Sequence, residues 1–93
     1  MVKKRVVAVV HGKVQNVFFR KFVLDNAKAL DLKGWVRNDY ENNSVETLFE
    51  GEDDKVHEMI NLLWKGPDGS DVGNVVIRKE DYKGDYDFFS IVS

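Results

Sequence analysis

The sequence predicts an α+β fold in which two helices lie on one face of an antiparallel sheet, and three observations predict it. The 93-residue chain is short enough to form one domain over residues 1–93. Short Val-rich or alternating segments read as strands, and segments with apolar residues every three to four positions read as helices. The two kinds follow one another in the order β-α-β-β-α-β, with a short strand at the end.

Residues 5–11 are rich in Val and read as a buried strand. Residues 12–18 read as a loop. From about Arg20 the period changes, and Phe19, Phe22, Val23, Ala27 and Leu30 fall on one helical face. Gly34 is expected to end that helical region, and Trp35-Val36-Arg37 begins a second strand. Asn42-Asn43 reads as a hairpin turn, because Asn tolerates the positive φ that tight hairpins need. Val45, Thr47 and Phe49 then alternate with Glu46, Leu48 and Glu50 as a third strand. Glu52, Asp53 and Asp54 suit the positive end of a helix dipole. Val56, Met59, Ile60, Leu63 and Trp64 supply that helix's apolar face, and Lys65-Gly66-Pro67 stops it. Residues 72–79 read as a fourth strand and residues 86–92 as a shorter fifth. This is the split βαβ pattern of a ferredoxin-like sandwich. The architecture hosts many unrelated functions, so function has to come from a site.

Composition removes several classes of function. With 43% hydrophobic and 32% charged residues the chain is globular rather than disordered. A net charge of −2 gives no basic footprint for nucleic acid. Lys3-Lys4-Arg5 is the only basic run, and it reads as a solvated strand end. The absence of cysteine excludes a disulfide scaffold, a thiolate metal site and a cysteine nucleophile. The apolar stretch Val6-Val7-Ala8-Val9-Val10 is cut off by His11-Gly12, too soon for a secretory core, and no run is long enough to span a bilayer. These features lead us to expect a cytoplasmic monomer with no membrane and no nucleic-acid partner.

Other chemistry is weakly signalled. His11 and His57 have no partner at metal spacing. Asp53, Asp54, Asp68 and Asp71 read as helix-start and loop solubilisers, with no calcium-loop pattern. Ser44, Ser70, Ser90 and Ser93 show no nucleophile elbow. Trp35, Trp64, Phe88 and Phe89 read as core or partly buried residues rather than as bases for RNA stacking.

The informative segment is Gly12-Lys13-Val14-Gln15-Asn16-Val17-Phe18-Phe19-Arg20, between the first strand and the first helix. A loop that enters a helix presents backbone N–H groups with no intrahelical partner. The helix dipole adds positive potential there, and successive amides can form an anion nest. Arg20 adds a permanent charge on a planar fork that matches phosphate oxygens in pairs. Spacing alone leaves an ordinary β–α connection open.

The same segment resembles the G-x-V-Q-G-V-x-F-R pattern of the acylphosphatases. It matches at Gly12, Val14, Gln15, Val17, Phe19 and Arg20 and departs at Asn16. The order of elements is similar over essentially the whole chain. The resemblance implies a metal-free, cofactor-free hydrolase that splits the carboxyl-phosphate anhydride of small-molecule acyl phosphates into a carboxylate and inorganic phosphate. It implies that Arg20 and the backbone of Gln15, Asn16, Val17, Phe18 and Phe19 hold the phosphoryl group. It further implies that Asn38, in Gly34-Trp35-Val36-Arg37-Asn38, holds the attacking water. Read by itself, Asn38 is a turn residue at a strand end, beside Asp39. Where the family has Gly, Asn16 is the residue type that best tolerates positive φ after Gly. A catalytically weak or inactive anion-binding domain of the same fold is the alternative reading.

Overall fold

The computed structural model describes residues 2–15 and 17–93, so the expectation for the backbone of Asn16 lies outside the described residues. The chain runs β1 (Lys3–Lys13), α1 (Phe19–Ala29), β2 (Lys33–Asp39), β3 (Ser44–Glu52), α2 (Asp53–Lys65), β4 (Asp71–Glu80) and β5 (Phe89–Ile91). The strand order is β4-β1-β3-β2-β5. The first four strands pair antiparallel, as expected, but β5 adds parallel to β2 and makes the sheet mixed.

Both helices pack on one face. Val6, Ala8 and Val10 of β1, Val36 of β2, and Val45 and Phe49 of β3 form one core with Val23 and Ala27 of α1 and Val56, Met59 and Leu63 of α2. The strand residues come from alternate positions, so one sheet face supplies them all. The i, i+3, i+4 spacing on the helices turns the matching stripe toward that face. Trp64 departs from the expected stripe and is 48% exposed. Lys65 is the last helical residue, and Gly66, at φ 66, follows as the C-cap and stops α2 where the sequence indicated.

Three boundaries differ from the sequence reading. α1 ends at Ala29, not at Gly34, because Asp31 takes the left-handed conformation (φ 57) and turns the chain. Gly34 instead lies inside β2, at φ 144, where a Cβ would collide with the Leu48 carbonyl of the neighbouring strand. The terminal strand is only Phe89–Ile91; Tyr86 belongs to the segment before it, and Phe88 is 67% exposed rather than buried. The Asn42-Asn43 turn is where it was expected, with Asn43 at φ 51.

That segment, residues 81–88, carries the chain from β4 at one edge to β5 at the other and covers part of the sheet face opposite the helices. Beneath it Arg5 is almost fully buried, which corrects its reading as a solvated strand end. The strand alternation that places Val6 and Ala8 in the core sends Arg5 to the opposite face, under this covering strap. Its guanidinium donates to Glu80 at 3.0 Å and Asp85 at 3.2 Å and lies 3.7 Å from the buried Glu50. Burial works against the Arg5 charge, but these carboxylates outweigh it and raise the Arg5 pKa. Tyr86 accepts from the Trp35 indole at 3.2 Å, and the amides of Lys83 and Gly84 point at the Glu50 carboxylate.

Candidate functional site

The segment between β1 and α1 is anchored by the side chains of Val14, Gln15 and Phe19. Val14 is 1% exposed and Phe19 2% exposed, so both ends of the loop are sunk in the core. Phe19 packs against Phe22 with ring centroids 5.9 Å apart. Gln15 works as a staple: its Nε2 donates to the carbonyls of Asp39 (3.1 Å) and Ser44 (3.2 Å). Asp39 and Ser44 are the last pair of the β2–β3 ladder, so one carboxamide ties the loop to the end of that hairpin. Gly12 belongs to β1 rather than to the loop. It sits at φ 127 in a bulge against β4, where a side chain would strike the Asp71 backbone. The first glycine of the sequence pattern is therefore a strand requirement here.

Phe18 is the N-cap of α1 and holds a left-handed conformation, φ 59 and ψ 28, with its ring 82% exposed. A bulky residue in this region is uncommon. Phe18 accepts the first helical bond, from the Phe22 amide at 3.0 Å. The N–H groups of Phe19, Arg20 and Lys21 precede the first residue able to bond within the helix. Among the described residues no side chain caps them, and the first turn of α1 holds no acidic residue. In contrast, α2 has Asp53 and Asp54 in its first turn. Among the described residues the positive end of α1 therefore has neither a side-chain cap nor an acidic first turn to offset it.

Arg20 is the second residue of α1. Arg5, Arg37 and Arg78 are each paired with a carboxylate, at Glu80, Glu46 and Glu80 respectively. Among the described residues no carboxylate pairs with Arg20. Its charge lines a cleft of about 480 Å³ with Asn38 and with the apolar side chains of Val14, Phe18, Phe19 and Ile91. Lys21 also borders the cleft, though its Nζ is paired with Asp25 at 3.0 Å.

Asn38 comes to the cleft from β2 and is 7% exposed. Its backbone is held from both sides. In the ladder it stands opposite Val45 of β3, and its amide donates to the Ser93 carbonyl at 3.2 Å. The Val92 amide donates to Val36, so the chain beyond β5 keeps its parallel course along β2. The Asn38 side-chain Nδ2 donates to the Tyr40 hydroxyl at 3.1 Å. The adjoining turn is locked by Asp39, whose carboxylate accepts from the Asn42 amide and from its side chain. The Asn42 side chain, opposed in part by burial, holds the Asp39 carboxyl below the usual range.

Of the residues the sequence pointed to, Arg20, Asn38, Phe18 and Phe19 line one cleft. Gln15 and Val17 are not among its lining residues: the Gln15 side chain is held by its staple, and Val17 packs against the core. Asn16 lies outside the described residues. Sequence reasoning missed Ile91, Lys21 and Tyr40. Tyr40 had no strand-period signal, because it lies in the turn just past β2 and meets Asn38 only through the course of that turn. Ile91 had none, because its place depends on β5 crossing to the β2 edge. Among the described residues no three His, Asp or Glu side chains converge as metal ligands, and no helix is long and apolar enough to cross a membrane.

A family model for acylphosphatase matches residues 6–91. The chain is 40% identical over 91 residues to an acylphosphatase of Pelotomaculum thermopropionicum, covering 98% of each chain. Its structure is similar to that of an acylphosphatase from Coxiella burnetii, with a TM-score of 0.91 and 36% identity over 97% of this chain and 93% of that one. It is similar as well to the acylphosphatase of Bacillus subtilis, with a TM-score of 0.92 and 30% identity over 97% of this chain and 99% of that one.

Proposed function

The chain belongs to the acylphosphatase family and hydrolyses acyl phosphates to a carboxylate and inorganic phosphate, and on that premise we propose that Arg20 and Asn38 are its catalytic residues. The observation that carries the proposal is the shared cleft: a carboxylate-free arginine and a backbone-pinned asparagine meet at the uncapped start of α1. The guanidinium and the backbone N–H groups of residues 15–19 hold the phosphoryl oxygens. The inclusion of Asn16 rests on the sequence pattern. The Asn38 carboxamide accepts a hydrogen bond from a water and aims its oxygen at phosphorus.

The water oxygen then bonds to phosphorus while the bond from phosphorus to the acyl oxygen breaks. The carboxylate leaves with the bonding electron pair, and the water's proton passes to a phosphoryl oxygen. A carboxylate is a good leaving group and the transition state is loose, so positioning and charge stabilisation carry most of the rate. This chemistry calls for no strong base, metal or cofactor. The wider proposal is that residues 1–93 act as one cytoplasmic, monomeric, metal-independent domain.

Hydrolysis of benzoyl phosphate in EDTA, followed by absorbance, tests it. Arg20→Gln is expected to lose both activity and phosphate affinity, with a rate loss of about 100-fold or more, the common cost of one preorganised stabiliser. Asn38→Ala is expected to lose kcat while keeping phosphate affinity. A folded Arg20→Gln protein with more than half the native rate would overturn the assignment.

A further inference from the structure

We infer that Tyr40 is a positioning residue for the hydrolysis, acting through Asn38. The inference rests on Asn38 holding the attacking water. The backbone of Asn38 is fixed by β3 and by Ser93. Backbone pairing does not settle which end of its carboxamide faces the cleft, because the terminal torsion of Asn is broad and roughly two-fold. The two orientations differ chemically. The carbonyl oxygen accepts from a water and leaves its lone pairs free for phosphorus, whereas the amide group donates to that water and occupies one of them.

In the structure Tyr40 is paired with the amide end. Its hydroxyl accepts from Asn38 Nδ2 at 3.1 Å, and among the described residues it is the only side-chain partner of that carboxamide. With the amide end engaged by Tyr40, the carbonyl end is the one left for the water. Donation from Nδ2 also polarises the carboxamide and makes its oxygen a better acceptor. The hydroxyl is held at that spot by the turn. Tyr40 is the first residue past β2, in the turn to β3, and the bonds from Asn42 to the Asp39 carboxylate fix the backbone that leads from Asn38 into that turn. The ring is 64% exposed, so packing does not explain its placement over Asn38.

Tyr40→Phe removes the hydroxyl and keeps the ring. It is expected to lower kcat for benzoyl phosphate by roughly 3- to 10-fold, the equivalent of one lost neutral hydrogen bond. The dissociation constant for inorganic phosphate should stay unchanged, and the denaturant midpoint should fall by no more than the loss of one neutral hydrogen bond accounts for. The Asn38 side-chain amide resonances should shift. Added to Asn38→Ala, Tyr40→Phe should cost nothing more, because no carboxamide remains to be oriented. The inference fails if Tyr40→Phe keeps the native kcat while Asn38→Ala is impaired. It fails equally if Tyr40→Phe costs the same factor in both backgrounds, which would mean that it acts elsewhere. Native activity in Asn38→Ala would overturn the water role itself, and the inference with it.

Discussion

Replacing Gln15 with Met tests whether the loop and the hairpin act as one unit. Met has nearly the same length and volume, so packing changes little, but both hydrogen bonds to Asp39 and Ser44 disappear. Each neutral hydrogen bond contributes about 0.5–1.5 kcal/mol net, which gives about 1–3 kcal/mol for the pair. The middle of that range is expected, because Ser44 is 1% exposed and its carbonyl loses a partner without gaining water, whereas Asp39 lies nearer solvent. For a domain of this size, a loss of about 1 kcal/mol lowers Tm by roughly 4–8 °C. The second consequence is kinetic. The staple joins the segment carrying Phe18, Phe19 and Arg20 to the hairpin carrying Asn38, so its loss should lower kcat beyond the fraction unfolded. Urea unfolding gives the stability and initial rates with benzoyl phosphate give kcat, both at a temperature where the variant is fully folded. A destabilised variant with native kcat would refute the coupling. An unchanged midpoint would refute the staple.

Two further perturbations test separate parts of the molecule. Phe18→Asn keeps a residue that tolerates the left-handed conformation but removes an exposed ring from the cleft lip. It should raise KM for benzoyl phosphate about threefold or more, leave KM for acetyl phosphate unchanged and preserve the denaturant midpoint; equal effects on both substrates would show that the ring does not meet the acyl group. Glu80 has its pKa lowered, first by its hydrogen bond from Arg5 and then by that from Arg78. A depressed carboxyl pKa stabilises the fold above the unfolded-state value of about 4.3, and that contribution is lost as pH falls through the lower folded-state value. Glu80→Gln should therefore flatten the acid limb of a plot of urea midpoint against pH, and an unaltered limb would refute the linkage.

The fold and part of the site were legible because local periodicity and tertiary packing agree. In β3, Val45, Thr47 and Phe49 alternate toward the helices as read. The loop pattern was legible too, since Val14 and Phe19 are core anchors whose types the packing demands. What escaped were residues whose surroundings come from distant chain. Arg5 reads as a charged strand end until residues 81–88 fold over it with Asp85. Asp31 supplies the turn after α1 that Gly34 was expected to make, because a single left-handed residue suffices and Asp tolerates that conformation. Trp64 fits the helical period but sits at the margin of the buried stripe formed by Val56, Met59 and Leu63, and is half exposed. The parallel pairing of β5 was invisible because periodicity says nothing of strand direction.

The strap over residues 81–88 also sets the order in which the site can come into being. Asn38 reaches α1 through a short stretch of chain, but Ile91 and the Ser93 carbonyl arrive only after the strap has crossed the sheet and β5 has docked. Contacts this far apart in sequence form slowly, because the loop between them must close before they offer any compensating interaction. The contacts of β5 are therefore expected to form late in refolding, so that a substitution at Ile91 should speed unfolding more than it slows folding.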